Sequence, residues 1–204
     1  MFPTTRASLE DALNDENKFE IISQRVVYQR FLKVTDRLVR FPDQRVFSWD
    51  VVGHQYPFVC VMAYFTKDKT LSIIKEFLQG VNQEGFSFVC GGFDPTKHRD
   101  YLDAARSELS EELGFSDGTW YSLLDSKSRG ITEVKWCSNV FFPFLVIDPK
   151  FSNSPDPKDP EEYITPIDNV SLNQIDELIF QGKLSLPSVQ TYLMARKKLI
   201  DLSL

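Results

Sequence analysis

The chain has 204 residues, a length that fits one large domain or a compact domain with an arm. It is 42% hydrophobic and 25% charged with a mean hydropathy of -0.24, which excludes a disordered tail and points to a soluble globular protein. The 29 acidic side chains outnumber the 23 basic ones, for a formal net charge of -6, and this speaks against a nucleic-acid or membrane surface, since both need basic patches. A phosphate-bearing ligand would need a cation between itself and so acidic a protein.

Ser8 to Ile22 reads as a helix, with Ser8 and Asp11 as a loose capping pair. Arg25 to Arg40, rich in Val, Tyr, Phe and Leu, reads as strand, and after the turn at Phe41-Pro42-Asp43-Gln44 a second strand runs from Arg45 to Val52. Strands are expected over Pro57 to Phe65, Leu71 to Phe77 and Gly85 to Cys90. A helix from Arg99 to Leu113 ends at Gly114 as its cap. Trp120 to Leu124, Thr132 to Cys137 and Val140 to Ile147 read as strands. Asp148 to Pro160, with four prolines, reads as loop, and Tyr163 to Ile167 as a short strand. Two helices close the chain, Ser171 to Gln181 and Pro187 to Leu202. Strands on both sides of one central helix, followed by two helices, make an α+β pattern.

The three cysteines, Cys60, Cys90 and Cys137, are far apart and form no C-x-x-C spacing, so neither a zinc site nor a disulfide framework is expected and a reducing compartment is the simplest reading. The start of the chain has no apolar region and carries Glu10, Asp11 and Asp15, which argues against a targeting peptide and for a cytoplasmic location. No stretch approaches the ~18 apolar residues of a membrane span.

Chemistry concentrates in residues 91–115. At about 100° per residue, Leu102, Ala105, Leu109 and Leu113 form one stripe, and Glu108, Glu111 and Glu112 share a face beside it. Like charges three and four apart destabilise a helix by a few tenths of a kcal/mol. Anions in its last turn also oppose the dipole. The cluster is therefore either a solvated acidic face or a site for a hard cation such as Mg²⁺, Mn²⁺ or Ca²⁺.

The same stretch resembles the Nudix box, G-x5-E-x7-R-E-U-x-E-E-x-G-U with U aliphatic. Glu108-Leu109-Ser110-Glu111-Glu112-Leu113-Gly114-Phe115 matches its second half, with Phe115 in place of the aliphatic residue, and Gly91-Gly92 and Ala104-Ala105 also suit it. The box arginine is Ser107 here, beside Arg106. The first glutamate position holds Arg99, near Asp100 and Asp103, and the spacing from Gly92 is one residue long. In the family those two residues help orient loop and helix, and their joint loss reads as a paired replacement.

Further resemblances lie outside the box. Arg129-Gly130-Ile131-Thr132-Glu133 is similar to the G-x-x-T-E segment of ADP-ribose and sugar-nucleotide pyrophosphatases. Ile74-Lys75-Glu76-Phe77 resembles the strand end that meets substrate there, with Leu78 replacing its final arginine. Asp159-Pro160-Glu161-Glu162-Tyr163-Ile164 resembles an acidic loop that supplies a late carboxylate, a role carried to Glu162 with Glu161 second.

The resemblance implies a Nudix fold, a mixed β-sheet sandwiched between helices. It places an N-terminal helix and β-hairpin arm at 1–45, which would dimerise the chain, and the hydrolase domain at 46–204. It implies Mg²⁺ or Mn²⁺ held by Glu108, Glu111 and Glu112, catalysis by Glu108, Glu112 and Glu162, and substrate contacts at Lys75, Glu76, Gly92 and Glu133. The implied reaction cleaves the diphosphate of a nucleoside diphosphate linked to a second moiety, with ADP-ribose or another nucleotide sugar leading. The products would be a nucleoside monophosphate and a phosphorylated partner. The competing reading, prompted by the two box departures, is a catalytically silent module that binds a nucleotide or a protein.

Individual residues also carry plainer readings. Lys75 reads equally as an exposed strand-end lysine, and His98 as a loop surface histidine. Cys90 reads as a buried strand cysteine, and Trp49, Trp120 and Trp136 as core or interface.

Overall fold

The computed structural model describes residues 8–9, 18–157 and 163–204. The chain divides into two compact units, Met1–Gly53 and His54–Leu204.

The first unit is an antiparallel sheet in the order β1-β2-β3, formed by Glu20–Gln29, Lys33–Arg40 and Val46–Gly53. Of the helix expected over Ser8 to Ile22, residues 10–17 lie outside the described residues, while 20–22 are strand. Pairing of Glu20 with Arg40 and of Ile21 with Val39 overrides the helical pattern there. The strand expected from Arg25 to Arg40 is two strands, because the chain reverses at Arg30-Phe31-Leu32, where no glycine or proline announces a turn. β3 pairs with β2 along its whole length, so residues 46–53 belong with this unit and not with the domain expected to begin at 46. Ile21, Val26, Val27, Tyr28, Phe31, Phe47 and Trp49 of this unit are all exposed.

The second unit is built around an eight-stranded mixed sheet. Its spine follows the order β10 (Ile131–Thr132), β11 (Val140–Ile147), β4 (Phe58–Phe65), β5 (Thr70–Leu78) and β13 (Ile164–Ser171). β4 and β11 run parallel, with Phe58 opposite Phe141 and Tyr64 opposite Ile147. β4 and β5 pair only near their shared turn, at Ala63–Phe65 against Thr70–Ser72. Beyond that point they part, and the single strand expected over Gly85 to Cys90 becomes two. β6 (Gln83–Ser87) pairs with β5 and β7 (Val89–Gly92) with β4, the chain stepping across at Phe88. β9 (Thr119–Ser122) pairs with β11, and β8 (Phe115–Ser116) with β12 (Lys150–Phe151) inside the expected loop.

The strand expected over Thr132 to Cys137 is only Ile131–Thr132. Beyond it, the Glu133 carboxylate accepts from Asn139 Nδ2 at 3.2 Å and from the Cys137 thiol, so local side-chain bonds replace a ladder.

Three helices cover the sheet among the described residues: α1 (Tyr101–Leu113), α2 (Leu172–Phe180) and α3 (Leu186–Asp201). Alternation along β4 divides the core in two. Cys60, Met62 and Tyr64 face Ile175 of α2 and Tyr192, Ala195 and Leu199 of α3. Val59, Val61 and Ala63 face Ala104, Ala105, Leu109 and Leu113 of α1. Ser171 and Gln174 form the reciprocal capping box that starts α2. The second unit has the α+β sandwich of the Nudix fold that the resemblance implies. No described helix is long and apolar enough to cross a membrane.

Candidate active site

One rung of the sheet defines the candidate site: Ile131, Phe141, Phe58 and Gly92 lie opposite one another across β10, β11, β4 and β7. From this end of the sheet emerge the loop between β7 and α1, the turn at 133–139, and the end of β5, with Glu76 opposite Ile164 at the start of β13. Residues placed together by resemblance alone (Glu76, Gly92 and Glu133) therefore share one end of the unit. Glu161 and Glu162 lie outside the described residues, immediately before β13.

Helix α1 lies over β7 and β4. Asp100 caps it, accepting from the Asp103 N–H at 2.8 Å, and Gly114 closes it in the left-handed conformation. The buried residues of α1 are Ala104, Ala105, Leu109, Glu112 and Leu113. The arc is wider than the apolar stripe read from the sequence, because Ala104 adds a second edge. Glu112, expected beside the stripe, lies within it and is 3% exposed. Two consecutive alanines let helix and sheet approach closely, and Glu108 and Glu112 both project between them.

Gly91 shows how close the approach is. A Cβ built on it would fall 1.8 Å from Glu108 Cδ and about as near to both carboxylate oxygens (2.0 and 2.2 Å). The Glu108 carboxylate thus occupies the volume that any other residue at 91 would fill. Gly92, by contrast, faces open space.

The neighbouring groups are bonded. Ser87 donates to the Glu76 carboxylate, and Lys75 is ion-paired with Glu84 across β5 and β6. Cys90 lies directly opposite Cys60. The hydrogen bond with Cys60, burial, and the Glu112 and Glu76 carboxylates together push the Cys90 thiol well above the ordinary range. Glu133 serves the turn, bonding Asn139, whose own Oδ1 accepts from the His54 N–H at 2.8 Å.

Among the described residues, no group of three or more His, Cys, Asp and Glu side chains is close enough to hold a metal ion. Glu111 therefore closes no three-carboxylate set with Glu108 and Glu112, and is half-buried about 100° round the helix from Glu112. Glu108, in a cradle that excludes a Cβ, and Glu112, buried one turn further along, still present hard oxygen donors of the type Mg²⁺ and Mn²⁺ take.

Of the two box departures, Arg99 has a partner of its own. Arg99 pairs with Asp103 at 2.9 Å, and Arg106 turns away to lie over the Trp120 ring, 5.8 Å from its centroid. Ser107 opens onto a cavity of about 270 Å³ with Lys97, His98, Asp103, Arg106 and Asp156. Sequence reasoning named Asp100 and Asp103 only as neighbours of a missing glutamate. Their signal was the Asp-x-x-Asp spacing at a helix start.

No family model matches the chain, and no curated protein matches it. A solved structure described as that of an ADP compounds hydrolase is similar in fold, with a TM-score of 0.66. The two are 18% identical over 92% of this chain and 97% of that one. Such a likeness establishes the fold.

Proposed function

We propose that the protein is a Nudix-type, metal-dependent hydrolase of a nucleoside diphosphate linked to a second moiety, with ADP-ribose or another nucleotide sugar as the leading substrate class. The observation that carries this reading is the Glu108 carboxylate seated against the Gly91 backbone, with Glu112 buried one turn further along the same helix. A solvated acidic face would not bury one carboxylate and exclude a Cβ for another. The fold shared with an ADP compounds hydrolase supports the same substrate class.

Glu108 and Glu112 would hold Mg²⁺ or Mn²⁺, with Glu111 assisting from the helix edge. When bound, the ion neutralises diphosphate charge and acidifies water. Glu162 would take the proton from the attacking water. Gly92 leaves its edge of the sheet open for substrate, while Lys75 and Glu76 would contact it from β5, and Glu133 holds the turn that borders it. Attack at one phosphorus breaks the anhydride and gives a nucleoside monophosphate and a phosphorylated partner. The apolar side chains exposed on the described residues of the first unit would suit a second copy of this chain, since so many apolar groups left in water on one small sheet mark an interaction surface.

The test is a screen of nucleotide sugars, dinucleotides, CoA esters and nucleoside triphosphates with Mg²⁺ or Mn²⁺, read by phosphate release after phosphatase coupling. Turnover of a diphosphate ester that EDTA abolishes and added metal restores is the expected result. Absence of Mn²⁺ binding by calorimetry would favour the silent binding module, which the departures at Arg99 and Ser107 motivate.

A further inference from the structure

We propose that Asp103, through its clasp on Arg99, is a positioning residue that sets Glu108 against Gly91. The role rests on reading Glu108 as a metal-binding carboxylate. Gly91 and Glu108 belong to different elements, joined by the loop 93–100, so the register of their contact depends on how that loop enters the helix. The loop is closed by polar contacts. Phe93 N–H donates to Pro57 O at 2.9 Å, His98 N–H to Asp94 O at 2.8 Å, and Thr96 N–H to the Asp94 carboxylate at 2.8 Å.

Asp103 makes the last closure with both oxygens. One accepts from the Arg99 guanidinium at 2.9 Å and the other from the Arg99 backbone N–H at 3.1 Å. Its own N–H goes to Asp100. The result is a reciprocal cap that reaches one residue further back than the usual capping box. The outer side of the loop borders an open cavity lined by Lys97, His98, Asp103 and Ser107, with the His98 ring 6.2 Å from that of Phe93. An exposed ion pair adds little to global stability. Its consequence lies in place: a rotation of the helix by one residue's spacing would withdraw Glu108 from Gly91.

The experiment compares Asp103→Ala, Asp103→Glu and Arg99→Gln with wild type in the intact chain. The readouts are Mn²⁺ calorimetry, amide hydrogen exchange without metal, and melting temperature. Asp103→Ala should weaken Mn²⁺ binding about 10–100-fold, the range for groups that orient metal ligands. Exchange should rise at Gly91 and at 108–112 as well as at 101–104, with little change in melting temperature, and Asp103→Glu should recover part of the loss. Exchange rising only at 101–104, with Mn²⁺ affinity unchanged, would overturn the proposal. If wild type binds no Mn²⁺, the metal reading fails, and exchange at Gly91 and Glu108 still decides the clasp. Should Asp103→Ala not fold, Arg99→Gln, which keeps the backbone contact to Asp103, answers the same question.

Discussion

Glu108 and Gly91 share one volume: the carboxylate on α1 stands where a side chain on β7 would begin. Gly91→Ala must therefore displace either the strand or the glutamate. Overpacking of this kind costs about 1–3 kcal/mol. The variant should melt lower and lose most Mn²⁺ affinity. Gly80→Ala, where nothing lies within 4 Å of the new Cβ, should do neither. Unchanged Mn²⁺ binding by Gly91→Ala would remove the cradle from the site.

Glu108→Gln and Glu112→Gln should each lower metal-dependent turnover on the order of 10²-fold or more, since the ion supplies several kcal/mol of charge stabilisation. Glu111→Gln should have a smaller effect, because Glu111 closes no three-carboxylate set with the other two and lies about 100° round the helix from Glu112. Full turnover by the Glu108 or Glu112 variant would sink the assignment.

Restoring the box pattern provides a second test of the helix start. Arg99→Glu alone places a carboxylate beside Asp103 and should impair turnover. Adding Ser107→Arg supplies a guanidinium to the cavity that Asp103 and Asp156 line, and should recover much of the loss. No recovery in the double variant would show that the cavity cannot host the missing arginine.

The Arg99 guanidinium and backbone N–H hold the Asp103 carboxyl at a pKa of about 2, below its ordinary 3.8. A carboxylate with a depressed folded pKa stabilises the native state above the unfolded value, and that contribution is lost as pH falls through the folded one. The Asp103 carboxyl should therefore titrate below 3.8 when followed by NMR, with only a small accompanying loss of wild-type stability between pH 4 and 2 because the pair is exposed. Titration at the ordinary value would mean that the pair does not form in solution.

Gly130 has φ 94°, and a Cβ there would fall 2.9 Å from Val140 Cβ. Gly130→Ala should cost about 1–3 kcal/mol through backbone strain and contact with β11. Calorimetric melting checks this, and an unchanged melting temperature would show that the segment leading into β10 can re-form.

The sequence by itself determined the central helix, its cap at Gly114, the paired carboxylates and the α+β order, because each rests on local periodicity and spacing that a one-dimensional pattern records. It also exposed the two departures at Arg99 and Ser107. Only the tertiary structure decided where those features stand. Glu112 is buried because Ala104 and Ala105 draw the helix onto β7, and that approach is a property of two surfaces. The split of residues 83–92 into β6 and β7 follows from β4 and β5 parting, and the shortened strand at 131–132 from side chains that bond Glu133 to Asn139 and Cys137. The role of Gly91 was invisible for the same reason: the atom that forbids a side chain there lies 17 residues away in sequence, on another element, and no spacing within the strand encodes it.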